Sequence, residues 1–112
     1  MPSGALLGRR AKLNLMPRQL RYRESVLRAC AEYERLGQQL FLNTYGFGEA
    51  TKYLVRVEDR LYDSKAIVGV AYSYEHPSEG VLNCHDFSGG VSPGAAAWQL
   101  RRLGFEIVTL ST

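Results

Sequence analysis

Two hydrophobic periods coexist in this chain, and together they restrict it to a mixed helix-and-sheet fold. Between Arg21 and Leu36 the apolar residues Tyr22, Val26, Leu27, Ala29, Cys30, Tyr33 and Leu36 recur every three to four positions, the spacing of one helix face. The segment Lys52-Tyr53-Leu54-Val55-Arg56-Val57-Glu58 alternates instead, the period of a strand. Gly37 closes the first helix, and a short apolar helix over Gln38 to Tyr45 stops at Gly46. Glu58-Asp59-Arg60 reads as a turn, with Leu61-Tyr62 returning as a short strand. Asp63 is placed to cap a helix over Ser64 to Glu75, whose face is Ala66, Ile67, Val70, Ala71 and Tyr74. Ser92 and Pro93 suit the cap and first position of a last helix running through Leu103. Phe105 to Leu110 reads as a final strand. The expectation is a small single α+β domain, with a two- or three-stranded sheet packed against about four helices.

A chain of 112 residues suits one such domain. Its 46% hydrophobic and 22% charged residues are globular values, which argues against disorder of the whole chain. No apolar run approaches the roughly 20 residues that cross a membrane. Arg9, Arg10 and Lys12 follow the Ala5-Leu6-Leu7 stretch rather than precede it, the wrong order for a secretory signal. Cys30 and Cys84 read as free thiols of a reducing cytoplasm.

The net charge of +3 is unevenly spread. Residues 1 to 23 hold six cations (Arg9, Arg10, Lys12, Arg18, Arg21, Arg23) and no acid, whereas the remainder holds 8 basic and 11 acidic residues. Residues 1–20, with Gly4, Gly8, Pro2 and Pro17, therefore read as a flexible basic arm, and 21–112 as the α+β domain. Such an arm suits phosphate contacts or simple solvation. The acidic balance of the body excludes a broad phosphate-binding face, so any contact there must be local.

Two places offer local anion chemistry. Lys65 falls in the first turn of a helix, where the dipole disfavours a cation and favours an anion. A phosphate between Lys65 and the helix start resolves that conflict, with Ser64 donating to the same oxygen. Ser88-Gly89-Gly90 is the second, because paired glycines let backbone N–H groups form an anion nest. Arg101 and Arg102 add charge near the end of the last helix, a position that also fits dipole compensation. Tyr45, Tyr62 and Tyr72 are the aromatic residues least committed by periodicity, and so the candidates for stacking on a base.

Catalytic signals are weak. Ser64 and Lys65 are neighbours on a helix, so their side chains diverge by about 100° and do not form a nucleophile–base pair. Gly46-Phe47-Gly48 lacks the lysine of a phosphate loop and precedes a strand. His76, Cys84 and His85 lack metal-ligand spacing. No catalytic residue, metal or cofactor is assigned.

A set of blocks carries a resemblance: Arg23-x-x-Val26-Leu27-x-Ala29-x-x-Glu32, Leu36-Gly37, Phe41-Leu42, Tyr45-Gly46-Phe47, Tyr62-Asp63-Ser64-Lys65-Ala66-Ile67-x-Gly69-x-Ala71, Phe87-Ser88-Gly89-Gly90 and Leu103-Gly104-Phe105. In order and spacing they resemble the N-terminal head domain of McrA-like HNH restriction endonucleases of actinomycetes, enzymes that cut DNA carrying modified bases or phosphorothioate linkages. The resemblance spans about Arg21 to Val108. It implies an accessory DNA-associated domain, covalently linked in the parent protein to a nuclease whose HNH motif this chain lacks. Tyr62, Ser64, Lys65, Ser88, Gly89 and Gly90 fall in the matching blocks, and with Arg101 they are the expected DNA-binding set. The expected function is a non-catalytic DNA-binding module that reads a modified base or backbone, with oligomers compatible. The alternative is an assembly domain of a restriction endonuclease without DNA contact, which the acidic body and aromatic richness suit.

Overall fold

The computed structural model describes residues 19–110. Its elements are α1 (Arg23–Leu36), α2 (Gln38–Tyr45), β1 (Tyr53–Val57), β2 (Arg60–Asp63), α3 (Ser64–Glu75), α4 (Ala96–Arg102) and β3 (Glu106–Thr109). The fold is the expected small α+β domain. The sheet order is β2-β1-β3, antiparallel throughout. Val57 pairs with Arg60, so the hairpin turn is two residues long. Both of its residues, Glu58 and Asp59, have positive φ, the conformation that matches strand twist in such turns.

Helix α3 is the centre of the molecule. Lys65 is half-buried, but Ser64 and every residue from Ala66 to Tyr72 are buried. A helix apolar all round needs neighbours on several sides. Here α1 and α4 pack against it, with further contacts from α2, β1 and β2. Phe41, Ile67, Leu100, Val26 and Val55 are the large side chains sealed between these layers.

The entrance to the fold differs from expectation. Helix α1 starts at Arg23, after an extended Tyr22, and the amides just ahead of it are held from outside. Glu75, at the end of α3, accepts from the amides of Arg21 (2.8 Å) and Tyr22 (3.0 Å) and from Ser25 Oγ (2.6 Å). Leu20, counted with the arm on sequence grounds, is fully buried: its amide donates to Gln99 Oε1 at 2.7 Å, and Arg102 donates to its carbonyl at 2.5 Å. Arg23 is also part of the fold, donating to the Leu103 carbonyl at 2.7 Å with its guanidinium over the Phe105 ring. Residues 1–18 of the expected arm lie outside the described residues.

The last helix is shorter than its sequence suggests. Gly94 takes φ 90°, a left-handed value incompatible with a continuing right-handed helix. Ser92 to Ala95 therefore form a turn closed by Ala95 N–H to Ser92 O, 2.9 Å, and α4 begins at Ala96. Ser92 is a turn residue and not the cap.

Five tyrosine hydroxyls are tied to carboxylates. Tyr45 and Tyr74 both donate to Glu32, Tyr33 to Asp63, Tyr62 to Glu34 and Tyr72 to Glu79. Burial first, and the hydrogen bond to Glu32 second, push Tyr45 and Tyr74 up to about 12. Burial and their own carboxylate partners raise Tyr33 and Tyr62 as well. Unfolded tyrosine ionises near pH 10. The raised folded-state values thus give stability that is whole below about pH 10 and is lost as pH rises toward 12. Ultraviolet titration of the native protein is expected to show these phenols neutral beyond the ordinary range, followed by cooperative unfolding. Ionisation of every tyrosine near pH 10 without unfolding would contradict this network.

Candidate nucleic-acid interface

A cleft of about 460 Å3 opens between the 47–53 segment, the start of α3 and the 84–90 loop. Its principal polar and aromatic lining is Lys65, Lys52, Tyr53, His85 and Glu49, with the backbone of Gly89 and Gly90. Lys52 and Tyr53 arrive where β1 enters the sheet, with the Lys52 ammonium 5.4 Å from the Tyr53 ring centroid. Lys65 arrives on the first turn of α3.

The surroundings of Lys65 are unusual for a half-buried cation. Its Nζ donates to the Cys84 carbonyl at 2.6 Å and lies 5.3 Å from the Phe87 ring centroid. No carboxylate lies within ion-pair distance of it among the described residues. An ammonium has three protons to donate; one is held by the carbonyl, and the ring face satisfies part of the charge. The ammonium thus stands beside the cleft with a carbonyl and a ring as partners and no carboxylate in direct contact.

The helix start is left open for a related reason. Asp63 occupies the N-cap position in extended conformation but makes no cap hydrogen bond. Its carboxylate is buried and turned to other donors: the Tyr33 hydroxyl, Gln38 Nε2 at 3.0 Å and the Ala50 amide at 2.7 Å. This corrects the expectation that Asp63 caps α3, and it leaves the first amides of the helix without a side-chain hydrogen-bond acceptor. Ser64 is engaged within the protein. Its hydroxyl is buried and donates to the Tyr53 carbonyl at 2.9 Å, fastening the helix start to β1.

The Ser88-Gly89-Gly90 loop faces the same cleft, but its backbone is arranged differently from a nest. The carbonyls of Ser88 and Gly90 accept from the amides of Ala96 (2.8 Å) and Trp98 (3.2 Å), capping the first turn of α4. The Gly90 amide is taken by Ser88 Oγ at 3.1 Å. The glycines serve the cleft by their size. A Cβ at Gly89 would touch the Lys65 stem at 3.5 Å, and one at Gly90 would meet the Tyr53 ring at 4.0 Å. Without side chains there, the space between cation and ring stays open.

Of the expected set, Ser64, Lys65, Gly89 and Gly90 line the cleft, and Ser88 adjoins it. Tyr62 and Arg101 do not belong to its lining. Tyr62 is buried, edge-on to Tyr33, and lines a separate cavity with Leu27, Cys30, Glu34 and Arg60. Burial pushes the Cys30 thiol there up to about 12, the opposite of a reactive thiolate. Arg101 is exposed at the far end of α4 from the loop, and Arg102 is spent on Leu20 and on Trp98. Arg56 pairs with Glu106 at 3.1 Å across the sheet. Tyr45 and Tyr72 are consumed in packing, against Phe41 and His76 respectively. The aromatic residues at the cleft are Tyr53, which the sequence places only in an alternating strand, and Phe47. Among the described residues, no His, Cys, Asp and Glu group is arranged to hold a metal ion, and no helix is long and apolar enough to cross a membrane.

No curated protein sequence matches the chain. Among solved structures, a protein titled as the Type IV phosphorothioation-dependent restriction endonuclease ScoMcrA shares 39% identity with it, at a TM-score of 0.56. The match covers 80% of this chain and 13% of that one, so the chain spans a small part of the length of its relative. Residues 20–109 match the model of the ScoMcrA-like N-terminal head domain, beginning at the Leu20 that the structure buries. The order of sequence blocks, the fold they build and the extent of this match agree: the chain belongs to the family of ScoMcrA-like N-terminal head domains, distinct from the nuclease domain of such enzymes.

Proposed function

We propose that this domain binds DNA without cutting it, holding a backbone phosphate at Lys65, as the cytoplasmic head of a modification-dependent restriction protein. The observation that carries the reading is the half-buried Lys65 ammonium, whose partners are one carbonyl and one ring. Lys52 adds a second cation to the same cleft, and the uncapped start of α3 adds partial positive charge. The separation of Arg56 and Arg101 from this cleft favours a local contact over a broad basic face. A non-cutting role fits the Ser64 hydroxyl, which is buried and engaged with the Tyr53 carbonyl. The basic segment 1–18 supplies further sequence-independent attraction in this reading.

Binding should therefore fall with salt, and Lys65→Ala should weaken it about tenfold and lower the salt slope by about one phosphate contact. Lys65→Arg should keep most of the affinity. Fluorescence anisotropy with plain, methylated, hydroxymethylated and phosphorothioate duplexes measures both effects. Equal absence of binding to all four at low salt would overturn the proposal.

A further inference from the structure

The cleft has a shape that a DNA backbone alone does not explain. A duplex is convex, and its phosphates can touch only the rim of a concave site. The space of about 460 Å3 lies in the range of small-ligand clefts, roughly 300–1,000 Å3. What enters such a space is a group about the size of one nucleotide.

Its lining suits that group end by end. The aliphatic stem of Lys65 and the ring of Tyr53 flank the same two consecutive glycines, one beside Gly89 and the other beside Gly90. Consecutive Cα atoms are about 3.8 Å apart, so the Lys65 stem and the Tyr53 ring border adjacent positions of one strip of backbone. A phosphate and its own base are likewise joined through one sugar. Glu49 stands in the same lining. A carboxylate accepts from the amino groups on a base edge and repels a second phosphate, so it fits a base better than a continued backbone. Phe47 closes the cleft with an apolar surface, held edge-on to Phe87.

From this juxtaposition we infer that the cleft takes one unpaired nucleotide, with its phosphate at Lys65 and its base against Tyr53. Resting on the DNA-binding reading, this names the form of DNA recognised. The nucleotide is one that a single strand, a bulge or an everted position presents, because a paired base stays stacked inside the duplex. Neither glycine needs a special backbone at this site, since neither has a positive φ. Their lack of side chains serves the space itself.

The test compares three DNAs of one sequence on the full chain: a perfect duplex, the same duplex with a central unpaired nucleotide, and the single strand. Stacking of one base on an aromatic side chain predicts about tenfold tighter binding of the bulged and single-stranded forms. Gly89→Val fills the cleft without altering charge, and Tyr53→Leu removes the ring while keeping an apolar residue on β1. Each variant is expected to abolish the preference. Equal affinity for the three DNAs overturns the inference and leaves phosphate binding at Lys65 standing, as does a preference that both variants retain. Failure to bind any of the three at low salt removes the DNA-binding reading itself.

Discussion

Replacing Asp63 with alanine is expected to cost the domain about 3–5 kcal/mol, the largest loss from any single polar change in this fold. The carboxylate is 3% exposed and receives the Tyr33 hydroxyl, Gln38 Nε2 and the Ala50 amide. Those donors come from α1, from α2 and from the segment that walls the cleft. Removing their acceptor leaves buried donors unpaired, at about 1–3 kcal/mol for each that water cannot reach. A small domain has only about 5–15 kcal/mol in total, so the variant should unfold at far lower urea. Asp63→Asn should fall between, since it keeps one acceptor oxygen but turns an amide N–H2 toward groups that already donate. Chemical denaturation measures all three proteins. An alanine variant within about 1 kcal/mol of the parent would show that the network is not what joins these elements.

Gly69→Val should be nearly as damaging, at about 3 kcal/mol, and the milder Gly69→Ala carries the sharper test of sign. Alanine is favoured over glycine inside a helix by about 1 kcal/mol, so propensity alone predicts stabilisation. At this position a Cβ would lie 2.5 Å from Phe47 Cζ and 3.2 Å from the Leu82 carbonyl. The Leu82 amide also donates to the Gly69 carbonyl at 3.2 Å, which keeps that strand of chain close. Phe47 is buried and lines the cleft, so any movement that relieves the clash disturbs the site too. Gly69→Ala is therefore expected to lower the denaturation midpoint. A raised midpoint would show that Phe47 yields freely.

The two central helices were legible in the sequence because local signals bracket them. Gly37 and Gly46 bound α2, and Asp63 and His76-Pro77 bound α3, so those ranges agree with the structure residue for residue. Local signals failed where a distant group decides the outcome. Glu75 anchors the entrance to α1 from fifty-odd positions away, and Tyr33, Gln38 and Ala50 draw Asp63 from its cap. The site divides in the same manner. Lys65 and the glycine pair stand out as local oddities, whereas Tyr53 and Lys52 join them only through the ladder that lays β1 beside β2. Tyr62 shows the opposite failure. It stands two positions before Ser64, yet its ring is drawn into packing with Tyr33 and its hydroxyl to Glu34, both on α1, so it lines a different cavity.

The fastening of Leu20 has a consequence for how the protein is made. Its carbonyl waits for Arg102, separated by 82 positions, and its amide for Gln99, by 79. At ribosomal rates of roughly 5–20 residues per second, that interval lasts about 4–16 s. Throughout it, the first core residue has no α4 to receive it. The central strand β1 likewise has one edge unpaired until Glu106–Thr109 has been synthesised. The domain thus closes only at its end, when α4 receives Leu20 and β3 then completes the sheet, and its period of greatest exposure to misassociation falls before those two elements are made.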